Sequence, residues 1–184
     1  MKVKLKILEE VTVRLNEKIE VAEHNQKWKQ KYTDEVNSLK QKALLSTLEY
    51  EHIGSTAIPK IKAKPIIDII AGTRSFPPEK DIIKELEESG YTYMQEMSVP
   101  DRLYFIKRGT ENFNLHVMAF KGSVWNDDIL FRDYMIRHPK EAQKYSDLKE
   151  EILKSGVEDL LEYSKRKAGF VLEIMRKCSD TNSK

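Results

Sequence analysis

A glycine–serine bend and one aspartate in an apolar strand are the features of this sequence that could carry chemistry. Gly54 and Ser55 follow a predicted strand, and glycine lets backbone N–H groups approach an anion closely. Asp68 interrupts the apolar run 66–71, and a buried carboxylate needs a partner such as a metal ion, a hydrogen-bond cluster or a lysine. Lys64, just before that run, could pair with a phosphate. Spacing alone slightly favours a structural explanation, with a turn glycine, a capping serine and an internally satisfied aspartate.

The residues around this bend resemble the signature of the GrpB family. The resemblance is carried by EHIGSTAIP at 51–59 and AKPIIDI at 63–69, and further similarity extends it over about residues 19 to 175. The further matches include His24, Trp28 and the segment 114–117. Lys60 departs from the pattern, since the family usually has glycine there. We expect this lysine to alter the loop and to add a charge beside the phosphate site.

This resemblance implies the fold of the nucleotidyltransferase superfamily, in which a Gly-Ser turn and a carboxylate strand hold a nucleoside triphosphate with magnesium. Active members usually have two acids two residues apart on that strand, where alternation places both on one face. Here Ile66 and Ile70 occupy the positions two away from Asp68. Synthetases of the guanosine tetraphosphate type take their second acid from another strand. The resemblance therefore leaves two possibilities, an enzyme with one acid per strand or a catalytically silent binding module.

The resemblance and the residue chemistry together define one candidate site. Asp68 is the candidate catalytic and metal-binding residue, with His116 as a second candidate ligand and Glu51 as a weaker one. Magnesium or manganese is the expected cofactor, although a histidine ligand suits a transition metal better. A strand histidine such as His116 is more often held by hydrogen bonds in a core. The candidate phosphate contacts are Gly54, Ser55, Thr56, Lys64, Arg102 and Lys149.

Two tyrosine–lysine pairs and one arginine could add to this site. Tyr145 with Lys149 and Tyr163 with Lys167 are each spaced to share a helix face, where they could hold a base and a phosphate. The alternative is that both pairs are rim residues whose stems cover apolar surface. Arg132 admits the same two interpretations, as a site-facing cation or as a salt-bridge partner of its neighbour in sequence.

The elements that must position these residues are short strands followed by a helical C-terminal third. A short β-branched apolar run closed by Gly72 predicts a buried strand over 66–71. Further strands are predicted over 48–53, 91–96, 102–107 and 113–120, with glycines after several of them. Helical spacing predicts helices over about 25–43, 79–89, 127–137, 139–156 and 157–178. Asn25 is the expected N-cap of the first, whose apolar stripe begins at Trp28. We therefore predict an α+β fold with a nucleotidyltransferase-like mixed sheet, helices on one face and the helical third from about residue 127.

The two ends of the chain are expected to lie outside this domain. Residues 1–18 are interpreted as an N-terminal extension with a short helix over 7–16, and 19–22 as a short extended piece. The domain spans 19–178, and 179–184 is expected to be a flexible tail.

Composition narrows the function classes. The 184 residues include 32 Lys and Arg against 30 Asp and Glu, and this near balance argues against a nucleic-acid-binding surface. A single cysteine is typical of the reducing cytoplasm, and the sequence contains no apolar stretch that predicts a signal peptide or a membrane span. The expected partner is a nucleotide or another phosphorylated small molecule, and the expected reaction is transfer of a nucleotidyl or pyrophosphoryl group to a hydroxyl.

Overall fold

A mixed β-sheet forms the centre of the structure, a computed structural model that describes residues 20–158 and 160–182. In this part of the chain the sheet has five strands, β1 (Glu49–Ile53), β2 (Ile67–Thr73), β3 (Thr92–Tyr93), β4 (Leu103–Lys107) and β5 (Phe113–Ala119). Their spatial order is β1-β2-β5-β4-β3, with β2 and β5 parallel and the other neighbours antiparallel. The extension predicted over 1–18 and its helix lie outside the described residues. Ala22, in the piece predicted to be extended over 19–22, forms an isolated bridge with Ala63.

Among the described residues, one helix precedes the sheet in sequence, one lies between β2 and β3, and three follow the sheet. They are α1 (Lys27–Leu39), α2 (Lys80–Glu88), α3 (Ser123–Arg137), α4 (Pro139–Lys154) and α5 (Leu160–Asn182). This order confirms the predicted α+β class and the helical C-terminal third. None of the helices described here is both long and apolar enough to cross a bilayer.

Several element boundaries differ from the prediction, among them the end of α1, which lies at Leu39 and not near residue 43. The strand predicted over 91–96 ends at Tyr93, because the chain turns through a short 3₁₀ segment at Gln95–Met97. Helix α3 begins at Ser123, directly after Gly122, and therefore includes a turn that the sequence pattern missed. Helix α5 continues to Asn182, so residues 179–182 of the predicted tail are helical.

Strand alternation divides the two faces of β2. Ile67, Ile69 and Ala71 point into the main core, where they pack with the apolar stripes of α1 and α2. Trp28 belongs to that core, which confirms the predicted stripe, and Asn25 Oδ1 accepts the Lys27 N–H at 2.9 Å at the start of α1.

The opposite face of β2 carries Asp68 and Ile70. Ile70 packs against Trp125 of α3 in a separate cluster. Further clusters join α3, α4 and α5 to the loop after β1, with Ile58 and Tyr145 among their buried members. The sheet and the C-terminal helices therefore enclose the end of β2 at which Asp68 lies.

A buried charge network fixes α1 to the sheet and gives the first testable prediction. Glu35 is 8% exposed, and its carboxylate accepts the Tyr91 hydroxyl at 3.0 Å and Lys107 Nζ at 2.9 and 3.1 Å. Glu35→Ala would leave both donors without this acceptor, so we expect the free energy of unfolding to fall by about 3 kcal/mol. Urea denaturation measures the loss. Asp34→Ala, which removes an exposed carboxylate on the same helix, should change stability by less than about 0.5 kcal/mol.

Candidate functional site

Asp68 points toward the glycine–serine bend. It lies opposite Ile53 of β1 and Asn114 of β5, and its Oδ1 accepts the Asn114 side-chain N–H at 2.7 Å. A Cβ at Gly54 would lie 3.0 Å from both Cβ and Cγ of Asp68 and closer still to Oδ2. Gly54 has φ +70 and ψ −172, a backbone conformation that essentially only glycine adopts. The carboxylate therefore occupies the space that a side chain at the bend would fill.

Asn114 connects the carboxylate to a fixed arginine. Its Oδ1 accepts the Tyr104 hydroxyl and Arg108 Nη2, both at 2.9 Å. Arg108 Nη1 also donates to the main-chain carbonyl of Phe113 at 2.7 Å. Sequence reasoning missed both Asn114 and Arg108 as site residues. The register of β2 with β5, which places Asn114 beside Asp68, is the signal that identifies them.

A cavity of about 170 Å³ opens beside Asp68 between the sheet and the C-terminal helices. Cations dominate its described lining, where four of them surround this single carboxylate: Lys64, Arg108, Lys149 and Lys167. Hydroxyl groups contribute as well, from Ser55, Thr56, Tyr163 and Ser164. Such a lining suits an anion, because its positive charges outnumber its negative ones and its other polar groups can donate hydrogen bonds.

Both predicted tyrosine–lysine pairs form, and both lysines line this cavity. Lys149 Nζ lies 4.8 Å from the Tyr145 ring centroid, and Lys167 Nζ lies 4.4 Å from that of Tyr163. Burial, with a smaller contribution from the charge of Lys167, lowers the pKa of Lys149 from 10.5 to about 7. Burial also lowers the pKa of Lys167. A bound anion would offset these costs and favour the charged amines.

The bend itself is fixed by contacts from both sides. The side chains of Ser55 and Tyr145 are hydrogen-bonded to each other, and burial raises the pKa of Tyr145 to about 12. The Thr56 hydroxyl and His52 Nε2 lie 2.9 Å apart. These contacts hold the 3₁₀ turn Ser55–Ala57 against α4 on one side and β1 on the other.

Several predicted site residues lie beside the cavity and outside its described lining. Arg102 pairs with Asp128 of α3 at 3.2 Å, and His116 shares a sheet face with Asp68 but packs on the Tyr104 ring at 4.8 Å. Burial raises the pKa of Asp128, opposed by Arg102 and reinforced by the charge of Asp68. Asp128 is therefore a second acid in the neighbourhood of Asp68, and the spacing of the sequence did not reveal it.

The contacts of Arg132 decide between its two interpretations, a site-facing cation and a salt-bridge partner. Its Nη1 pairs with Glu51 at 2.6 Å and its Nε with Asp133 at 2.8 Å. The same Nη1 donates to the His52 carbonyl at 3.0 Å. Arg132 is therefore a salt-bridge residue that ties α3 to β1.

The metal prediction rests on Asp68. Within residues 20–158 and 160–182, no group of three or more His, Cys, Asp and Glu side chains could hold a metal ion. One carboxylate still fits a magnesium ion held mainly by phosphate oxygens and water, since this ion is commonly bound in that way. The side chains described here thus fit a metal that arrives with a phosphorylated ligand better than a metal enclosed by protein ligands.

Lys60 adopts a backbone conformation that favours glycine. Its φ is +66, in the left-handed region where a side chain costs about 1 kcal/mol. The position at which the sequence departs from the GrpB pattern therefore keeps the conformation that glycine would take without strain.

Comparisons with known proteins give one family for most of the chain. A family model described as GrpB protein matches residues 18–177. Over 164 residues the chain is 33% identical to the Glutamate-rich protein GrpB of Alkalihalophilus pseudofirmus, covering 83% of this chain and 91% of that protein. The crystal structure of the conserved protein GrpB from Enterococcus faecalis matches with a TM-score of 0.79 and 27% identity, over 90% of this chain and 100% of that one.

The Cid1 poly(U) polymerase matches much more weakly. Its TM-score is 0.41 and its identity is 13%, over 80% of this chain and 49% of the other. The family match, by contrast, spans the bend, the Asp68 strand and the helices that complete the cavity. On that ground, this chain belongs to the GrpB family.

Proposed function

We propose that this protein binds a nucleotide or another phosphorylated small molecule in the cavity beside Asp68. The observation that carries the proposal is the convergence of Lys64, Arg108, Lys149 and Lys167 around one carboxylate. These cations come from the loop before β2, the end of β4 and two C-terminal helices. Positive groups outnumber negative ones in this described lining, and a bound anion would balance them.

Each group has a role that follows from its chemistry. Lys64, Arg108 and Lys167 would pair with phosphate oxygens, and the Ser55 hydroxyl would donate a further hydrogen bond. Gly54 contributes by the absence of a side chain, which leaves room for the Asp68 carboxylate. The cavity volume of about 170 Å³ is below the range typical for whole drug-sized ligands. We therefore expect the cavity to hold the phosphate part and the rest of the ligand to extend outward.

Magnesium or manganese is the proposed cofactor, with Asp68 as the protein ligand. A divalent ion in this place would neutralise phosphate charge and stabilise the charge that develops during phosphoryl transfer. This chain's own cations would then orient the phosphate chain, and the sheet with the C-terminal helices would exclude water from it.

Two functions fit such a site. The first is transfer of a nucleotidyl or pyrophosphoryl group to an acceptor hydroxyl. Asp128 supports it as a second acid from another element, whose pKa is raised by burial and in part by the charge of Asp68. The second is ligand binding without catalysis. The apolar residues Ile66 and Ile70, two positions away from Asp68 on either side, favour this alternative.

Thermal unfolding with phosphate ligands tests the binding proposal. Pyrophosphate, inorganic triphosphate and nucleoside triphosphates are added to the full chain at constant ionic strength. At a concentration about 100 times Kd a ligand adds about 2.7 kcal/mol, which should raise the Tm by roughly 5–10 °C. Lys167→Met should remove most of this rise, whereas Lys177→Met, at a partly exposed lysine paired with Glu141 and Glu173, should keep it. Equal rises in all three proteins would contradict the proposed site.

The metal arm of the same experiment separates the two functions. A binder is stabilised by the ligand alone, whereas a metal-dependent transferase needs magnesium or manganese for its full shift. Asp68→Asn should abolish the metal-dependent part of the shift, and Asp133→Asn should leave it unchanged. A shift that is the same with metal and with a chelator would remove the metal from the proposal and leave the binding module.

A further inference from the structure

The loop that carries Lys64 is held by two buried polar side chains of α4. The main-chain N–H of Lys62 donates to Ser146 Oγ at 3.0 Å, and the main-chain carbonyl of Lys62 accepts Lys149 Nζ. Ser146 and Lys149 are each only 2% exposed and lie three positions apart, on one face of the helix. One residue of the loop is therefore fixed at both of its main-chain hydrogen-bonding groups by a helix more than 80 residues later in the sequence.

The same stretch is also fixed from its other side. Ala63 N–H donates to the Ala22 carbonyl at 3.0 Å, and Ala22 N–H donates back to the Ala63 carbonyl at 2.9 Å. The Lys62 side chain pairs with Glu150 of α4 and, at 3.0 Å, with Glu23. Lys64 directly follows Ala63 in the chain and lines the cavity. The backbone is thus restrained directly before Lys64, and this restraint positions the Lys64 ammonium group.

Burying a hydroxyl and an ammonium is unfavourable unless each finds a partner. For Ser146 and Lys149 the loop's main chain supplies a partner. A loop fixed in this way loses little conformational entropy when a ligand binds, and such preorganisation raises affinity. The arrangement would therefore raise ligand affinity as well as stability if Lys64 binds an anion.

We propose that Ser146 is a positioning residue of the anion site, which acts through the Lys62 main chain to hold Lys64 at the cavity. Lys149 shares this task through the Lys62 carbonyl and also faces the cavity itself. The proposal rests on the proposed function, because it requires that the cavity binds a phosphate group. It assigns a binding role to a serine that is outside the described lining of the cavity.

A double-mutant cycle tests it, with inorganic triphosphate as the probe and isothermal titration of the full chain as the measurement. Ser146→Ala should weaken triphosphate binding about five- to tenfold, as expected for the loss of one buried hydrogen bond that orders a ligand contact. In the Lys64→Ala background the same substitution should change the affinity by less than about twofold, because the residue that it positions is gone. Equal losses in both backgrounds would overturn the proposal.

Amide hydrogen exchange supplies the readout at the loop itself. Without ligand, Ser146→Ala should accelerate exchange of the Lys62 amide about tenfold, since its acceptor is removed. Ser155→Ala is the matched control, because that hydroxyl, directly after the same helix, donates to the Ile152 carbonyl at 2.7 Å and accepts Arg166 Nη1 at 2.9 Å. The control should leave both the Lys62 amide and triphosphate affinity unchanged, and an equal effect in it would contradict the assignment.

The failure of this inference is distinguishable from that of the proposed function. If the unaltered chain does not bind triphosphate, the proposed function fails and the positioning role falls with it. If the unaltered chain binds triphosphate and the cycle is additive, the site stands and Ser146 is a purely structural residue.

Discussion

Replacing Gly54 by alanine is expected to lower the free energy of unfolding by about 3–5 kcal/mol and to abolish phosphate binding. The backbone at φ +70 and ψ −172 disfavours any side chain. The new methyl group would in addition overlap the Asp68 carboxylate, which sits against the Gly54 Cα in the folded protein. Thermal unfolding should show a fall in Tm of roughly 10 °C. Triphosphate titration of the remaining folded protein should show no binding.

Two other glycines separate the causes of this loss. Gly156 has φ +81 with open space around its Cα, so Gly156→Ala isolates the cost of the backbone conformation at about 1–2 kcal/mol. Gly109 has open space and no positive φ, so Gly109→Ala should be close to neutral.

The contribution of the Asp68 carboxylate to this loss of stability is measured in the Asp68→Ala background. Gly54→Ala should cost less stability when Asp68 is already alanine, since the overlapping oxygens are absent. If Gly54→Ala costs no more than Gly156→Ala, the carboxylate is not packed against the bend and the site is built differently.

Anion binding is expected to weaken about tenfold as the pH rises from 6.5 to 9. The pKa of Lys149 is lowered to about 7 by burial and by the charge of Lys167, so its amine loses its charge within this interval. A neutral amine gives up the charge-assisted hydrogen bond to the anion, which is worth about 1.5–3 kcal/mol. The lowered pKa of Lys167 acts in the same direction. Sulfate is the suitable probe, because its charge does not change over this range.

Without ligand, the Lys149 amine gives stability a pH dependence of the opposite sign to that of anion binding. Its pKa is about 7 in the folded chain against an ordinary value of 10.5, so between these values the unfolded chain binds more protons. The free energy of unfolding therefore rises with pH through this window as far as Lys149 is concerned, and its penalty is fully present below pH 7. A bound anion raises the pKa and shrinks this dependence.

Lys149→Met tests both pH dependences, that of sulfate affinity and that of the free energy of unfolding. It should bind sulfate weakly at every pH and should lose the part of the stability increase that belongs to Lys149. Lys177→Met should follow the unaltered protein in both measurements. A sulfate affinity that is constant between pH 6.5 and 9 in the unaltered chain would show that Lys149 stays charged and that its burial is not felt by the ligand.

The sequence by itself determined the order of the elements and the bend at the site. The short β-branched apolar run at 66–71 predicted β2, the spacing of the Trp28 stripe predicted α1, and the run into Gly54 predicted the turn. The four-residue steps from Tyr145 to Lys149 and from Tyr163 to Lys167 placed each pair on one helix face. These features are local, because helix and strand periodicities depend on residues a few positions apart.

Only the tertiary structure decided which charges meet. Arg108 reaches the site because β4 and β5 bring Asn114 beside Asp68. Arg102, the arginine that the sequence suggested as a phosphate contact, is instead paired with Asp128. Lys149 and Lys167 join Lys64 through the packing of two C-terminal helices on the loop before β2. Such convergence depends on strand register and helix packing between segments far apart in the chain, and no periodicity within a single segment encodes it.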